Sequence, residues 1–269
     1  MYHNEELLQR SGLDGPRPNW SWDDFLDYAT KVTQRSGAGT LAETYGIDAL
    51  SYWGIWSSIL FSQGGSFWDE SYDDIVINSP AGRRTFQFVC DLIHEYQVAP
   101  PAGHGLGNLW NAGKLGFTVA GSALITNMQR DQLFDFGLTN YPKGPHGQYN
   151  PGGILAAAGN AATKHPEATW SFLKFLLSPA IQELRNEFGN DMPVRASALR
   201  RIADPLMRSY GMGIEYARVW TNQYYSQLDS IVSGEVSGML RGMKSVEAGL
   251  DSMNTRLRGY LSGIGHASR

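Results

Sequence analysis

Apolar positions recur at helical spacing in several separate stretches of the chain. Trp22, Phe25, Leu26, Ala29 and Val32 follow one another every three or four residues, which predicts an amphipathic helix reaching to about 31–34. Ser21 with Asp24 three positions on predicts a capping box at its start. Gly37 and Gly39 predict its end. Ser79-Pro80 offers an N-cap hydroxyl and a proline at the first helical position. A helix is therefore expected from there, with Phe86, Val89, Ile93 and Tyr96 on one face, until Pro100-Pro101. Others are expected over 51–61, closed by Gly64-Gly65, and briefly over 106–111. Pro166 opens one carrying Trp170, Leu173, Phe175 and Leu176, and Ser178-Pro179 opens the next. Beyond Pro193 the pattern is mostly helical, with Gly242 as a stop and Ser245 as a new start for Val246, Leu250, Met253 and Leu257.

Strands are expected where apolar residues alternate or cluster briefly: 45–50, Leu115 to Val119, Phe136 to Leu138, and 152–157. The polar, turn-forming run 143–148 reads as a surface connection. Strands separated by helices argue for an α/β fold. No internal repeat is visible.

The length of 269 residues suffices for one large domain or two lobes. A hydrophobic share of 42% and a charged share of 18% describe an ordinary globular chain. The net charge of −4, without a basic block, argues against nucleic acid and anionic membrane as partners. Aromatic residues reach 12%, including 8 Trp; rings fill cores, and they also face the apolar faces of sugars. The single Cys90 has no partner for an internal disulfide and is expected to be a small buried apolar residue. The first residues lack the charged-then-apolar pattern of a secretion signal, and no apolar run is long enough to span a membrane.

Searches for enzyme chemistry fail on particular residues. His94-Glu95 would need a second histidine where Val98 stands, and Gly113-Lys114 would need a glycine where Asn108 stands. Gly103, Gly105 and Gly107 follow no expected strand and lack dinucleotide spacing. Gly121-Ser122 lacks the flanks of a nucleophile elbow. The pairs Asp23-Asp24 and Asp73-Asp74 are adjacent residues pointing in different directions, and the first suits a helix N-terminus. Neither a metal nor a cofactor is called for.

The opening, Tyr2-His3-Asn4-Glu5-Glu6-Leu7-Leu8, then Ser11-Gly12-Leu13, then Trp20-Ser21-Trp22-Asp23-Asp24-Phe25, resembles a segment of the bacterial extracellular solute-binding proteins. These are the family 1 sugar receptors of ABC importers. Later segments are similar in the same order: Ser79-Pro80 to Val98-Ala99-Pro100, Leu109 to Phe117, Tyr141-Pro142-Lys143-Gly144-Pro145, Gly152-Gly153, Glu167 to Leu176, and Met192-Pro193-Val194-Arg195. The resemblance implies a periplasmic-binding-protein-like type II α/β fold, mostly the C-terminal lobe with a partial N-terminal lobe. Residues 1–140 and 178–269 would form the C-terminal lobe, and 141–177 a strand–helix piece of the N-terminal lobe. In the family the opening segment follows a hundred or more residues of the first lobe, so a missing N-lobe fragment is an implied partner. The strand and helix from Gly152 to Leu177 are then expected to be covered by another chain, to be rearranged, or to leave an apolar edge exposed.

What the resemblance implies for function is capture of a carbohydrate or polyol between two lobes and delivery to ABC permease subunits, from a periplasmic or extracellular lipoprotein location. Trp53 and Trp56, three apart on one helix face, are the implied stacking residues, with Tyr52 beside them and Gly54 admitting close approach. Asp48 would accept hydroxyls or cap the helix, Gly152 and Gly153 would offer backbone groups, and Arg195 a planar fork. Of Tyr224 and Tyr225, at most one is expected to face the cleft. Where the family usually carries an aromatic, Ala120-Gly121-Ser122-Ala123 is small and polar, which implies either a roomier cleft or a site reached by the Ser122 hydroxyl. Two rivals stand beside this: a carbohydrate-active enzyme, and a remnant that no longer binds. The chain by itself is expected to bind sugar weakly or not at all.

Overall fold

The computed structural model describes residues 1–37, 41–48, 50–153, 155–188, 192–219 and 225–264. The elements run β1 (Tyr2–Asn4), α1 (Glu5–Arg10), α2 (Trp22–Val32), α3 (Trp53–Ser62), α4 (Pro80–His94), β2 (Phe117–Thr118), α5 (Ala123–Asp131), β3 (Phe136–Leu138). They continue β4 (Lys143–Gly144), β5 (Gly147–Gln148), β6 (Asn150–Pro151), α6 (Pro166–Leu176), α7 (Pro179–Phe188), α8 (Ala196–Leu199), α9 (Pro205–Met212), β7 (Ala217–Arg218), α10 (Tyr225–Leu240) and α11 (Val246–Gly263).

Local sequence signals account for most helix ends. The Ser21–Asp24 capping box forms, with Ser21 Oγ accepting from the Asp24 amide at 3.1 Å and the Ser21 amide donating to Asp24 at 2.8 Å. Ser79 and Pro80 start α4, and Ser245 caps α11. Gly242 lies at φ +69°, a left-handed conformation that glycine adopts without strain, between α10 and α11. The turn 109–113 stands where a short helix over 106–111 was expected, closed by the Gly113 amide on the Trp110 carbonyl at 2.9 Å.

Strands depart further from expectation. β1 is the middle of a three-stranded antiparallel sheet, pairing Tyr2 with Thr118 on one side and with Leu138 on the other. Among its described residues the 45–50 stretch makes a single parallel bridge, Tyr45 to Leu115, instead of a strand. The expected strand over 152–157 is absent among its described residues: the parallel β6–β7 ladder ends at Pro151–Arg218, and 155–160 is irregular. α5, conversely, is a helix that the apolar pattern did not announce.

The chain divides into two compact units. The larger holds Met1–Val119, Phe134–Gly152 and Tyr216–Arg269; the smaller holds Ala120–Leu133 and Gly153–Glu215. This division differs from the expected segments: 141–152 stays with the larger unit because β4, β5 and β6 pack on α3, and 178–215 goes with the smaller. The larger unit's core is built around α3, an almost wholly buried helix, as its all-round apolar sequence requires. Phe117 brings the sheet into the same core, its ring 5.3 Å from Trp20 and 5.5 Å from Phe25. Cys90 is buried there as expected, and burial pushes its thiol up to about 11.

The smaller unit is built differently. Its buried apolar residues are few, among them Ile125, Met128, Ala198, Ile202 and Met207. Buried Gln182 ties it together, donating to the Leu176 carbonyl and accepting from the Val194 amide, both at 2.8 Å. α6 buries none of its residues.

Candidate functional site

The start of α3 presents two aromatic side chains side by side. Tyr52 is the extended N-cap residue, and its ring centroid lies 5.3 Å from that of Trp53 at an interplanar angle of 47°. Tyr52 is 36% exposed and Trp53 half-buried. Gly54 makes this arrangement possible. A Cβ there would stand 2.5 Å from Tyr52 Cε1 and 3.2 Å from Pro151 Cγ, so any side chain would push the ring and β6 away from the helix.

The face of α3 that continues from Gly54 holds the next segments in place. Ser58 donates from Oγ to the Tyr149 carbonyl, and Phe61 lies under the Arg218 guanidinium at 4.4 Å. Arg218 also stands 5.6 Å from the Tyr149 ring, so β7 is fastened to α3 by a cation over two aromatic rings. Gly54, Ser58 and Phe61 share this face by their four- and three-residue spacing. Sequence reasoning did not single out Pro151, Tyr149 or Arg218; their roles depend on the fold bringing β6 and β7 onto α3.

Trp56 is placed elsewhere. It is 1% exposed, inside the core, with its ring 5.7 Å from Phe86. The three-residue spacing puts it near Trp53 along the helix, but the packing of α4 against α3 covers it.

Asp48 is half-buried and bonded, its Oδ2 lying 3.1 Å from His104 Nε2. The Leu106 amide donates to His104 Nδ1 at 2.8 Å, so that nitrogen carries the lone pair and Nε2 carries the proton toward Asp48. Gly152 donates its amide to the Arg218 carbonyl at 2.9 Å, which commits that group to the β6–β7 pairing. These residues belong to the larger unit.

Ser122, Gly153 and Arg195 belong to the smaller unit. Ser122 occupies the N-cap position of α5 without a side-chain cap and is buried. Around Gly153 a Cβ would meet nothing within 4 Å among the described residues. Arg195 uses Nε to donate to the Leu177 carbonyl, so its guanidinium is a tether between the end of α6 and the start of α8. Tyr224 and the Tyr225 side chain lie outside the described residues. An open hollow of about 500 Å³ on α4 and α11, lined by Arg83, Arg84 and Glu247 among others, includes none of the expected site residues. Among the described residues, no cluster of His, Cys, Asp and Glu could hold a metal, and no helix is long and apolar enough to cross a membrane.

The model of the bacterial extracellular solute-binding protein family matches residues 1–183. The chain belongs to this family. Among curated proteins it is similar to the sn-glycerol-3-phosphate-binding periplasmic protein of Agrobacterium fabrum, at 22% identity over 95% of this chain and 63% of that protein. It is also similar to a putative binding protein of Brucella abortus, at 23% identity over 65% of this chain and 43% of the relative. The chain thus spans less than two thirds of the length of these relatives.

Solved solute-binding proteins share its fold. An ABC substrate-binding protein of Listeria monocytogenes in complex with cycloalternan superposes with a TM-score of 0.80 at 16% identity, over 97% of this chain and 69% of that one. The cyclic α-maltosyl-1,6-maltose binding protein of Arthrobacter globiformis gives 0.79 at 21% identity, again over 97% and 69%. The fold is therefore mixed α/β and periplasmic-binding-protein-like, and it matches about 69% of those chains.

Proposed function

We propose that this chain forms part of the solute-binding component of an ABC importer, taking up a carbohydrate or polyol and delivering it to permease subunits outside the cytoplasm. The observation that carries the reading is the Tyr52–Trp53 pair, held open at the head of α3 by Gly54 and Pro151 in a member of a solute-binding family. A half-exposed pair of rings suits the apolar face of a sugar, and Asp48, oriented by His104, supplies a carboxylate four residues before it. Trp56 is left out of the site, since its burial assigns it to the core. The relatives support a hydroxyl-rich solute: one is named for sn-glycerol-3-phosphate, one solved neighbour is in complex with cycloalternan, and another is named for binding cyclic α-maltosyl-1,6-maltose.

A titration panel of gluco-oligosaccharides and polyols, followed by mass spectrometry of the solute, tests this. The expected outcome is weak, saturable binding by this chain, with every solute recovered intact. Formation of a product would support the carbohydrate-active enzyme, which family membership otherwise sets aside. No saturation by any solute would support the remnant.

A further inference from the structure

We infer that the loop 103–107 is a proton-operated latch on the Asp48 carboxylate, so that solute capture weakens as His104 takes up a proton. The inference rests on the proposed capture of solute beside Tyr52 and Trp53, and it states how that site is regulated. Asp48, the Tyr52–Trp53 pair, the loop and Arg241 all belong to the larger unit. In the loop, Gly103, Gly105 and Gly107 lie at φ +76°, +66° and +75° and alternate with His104 and Leu106. A Cβ at Gly105 or Gly107 would meet nothing within 4 Å among the described residues, so these glycines serve the left-handed backbone and not a tight contact. Gly103 and residues 105–108 are exposed, whereas the His104 side chain is only 14% exposed and that of Asp48 28%. His104 is therefore the side chain that holds this run against the unit.

The two ring nitrogens of His104 have opposite roles. Nε2 donates to Asp48 Oδ2 at 3.1 Å, and Nδ1 accepts from the Leu106 amide at 2.8 Å. Only a neutral imidazole does both. A second proton has to sit on Nδ1, where it faces the Leu106 N–H; two donors then oppose each other and that bond is lost. The imidazolium also turns the Nε2 contact into an ion pair, which competes with solute hydroxyls for the carboxylate oxygens. Charged groups face the loop from other elements. Asp48 favours the imidazolium, and Arg241, its Nη2 3.4 Å from where a Gly103 Cβ would stand, opposes it. His94 lies beside the same turn as Arg241, with Nε2 3.0 Å from the Leu240 carbonyl and its ring 3.8 Å from where a Gly242 Cβ would stand. Neither group gives the Leu106 amide a substitute acceptor.

NMR of the wild-type chain tests the latch, with isotope labelling to follow the His104 ring nitrogens and the Leu106 amide between about pH 8 and 5, where histidines ordinarily change charge. The expected result is the Nε2–H tautomer at the alkaline end, and a Leu106 amide that exchanges about tenfold faster in step with protonation of His104. Affinity for each gluco-oligosaccharide or polyol that binds is expected to fall about threefold or more over that range, and to stay level in His104→Gln, whose amide does not titrate. A Leu106 amide that does not follow His104, an Nδ1–H tautomer at the alkaline end, or an equal pH slope in wild type and His104→Gln overturns the latch. Failure of the capture reading has a different signature: no solute binds at any pH, while the Leu106 step, which needs no solute, still upholds the latch on Asp48.

Discussion

Trp53 and Trp56 stand three positions apart on α3, yet Trp53 keeps part of its ring in solvent while Trp56 is sealed against Phe86. Spacing made both legible as one face; it could not register that α4 would close over the second. Trp56→Ala is therefore expected to cost about 3–5 kcal/mol of stability through the cavity it leaves, read by urea unfolding. Trp53→Ala should cost much less stability. His3 carries a second prediction. It is buried, its Nδ1 has no hydrogen-bond partner among the described residues, and burial lowers its pKa to about 4. Glu5 Oε1 lies 3.9 Å from Nε2 and favours the charged form, but that carboxylate is well exposed and burial wins. The unfolded chain, with an ordinary histidine near 6.5, binds the proton first. Stability from this site is then whole above about 6.5 and is lost as pH falls toward 4, by roughly 3 kcal/mol in all. His3→Gln should flatten the unfolding free energy over that window; an unchanged slope would remove His3 as its source.

Helix boundaries were readable because their causes are local: Ser21 with Asp24, Ser79 with Pro80, Gly242, Ser245. Strands were not. β1 exists because residues 117–118 and 136–138 flank it, partners more than a hundred positions away that no local pattern encodes. The 152–157 run has strand-like residues but finds no ladder among its described positions. The α10–α11 pair shows what a single buried charge does for two elements. Glu235 is 2% exposed, and burial would raise its pKa. Lys244 at 2.6 Å, Arg256 at 2.7 Å and Ser252 at 2.9 Å outweigh that and hold its carboxyl below the ordinary range. Glu235→Ala is expected to destabilise the protein by about 1.5–3 kcal/mol, with Glu235→Gln intermediate. Thermal unfolding of the two variants checks the order, and equal midpoints would show that the carboxylate does not clamp the helices.

The two units differ in how much core each owns, and stability should follow. Native-state hydrogen exchange is expected to show α3 and α4 amides opening only with global unfolding, while α6 amides exchange faster by roughly tenfold or more. Uniform protection would contradict this division. The larger unit also carries the Tyr52–Trp53 pair, so the rings proposed to face the solute belong to the better-packed unit. Saturation-transfer NMR with the panel of gluco-oligosaccharides and polyols detects even weak binding and so reads solute capture by these rings. Stacking of a solute on Tyr52 and Trp53 predicts transfer to ring protons of at least one solute, falling about fivefold or more in Trp53→Ala for a loss near 1 kcal/mol and unaffected by Met243→Ala. Transfer to no solute, or transfer that survives Trp53→Ala unchanged, would contradict it.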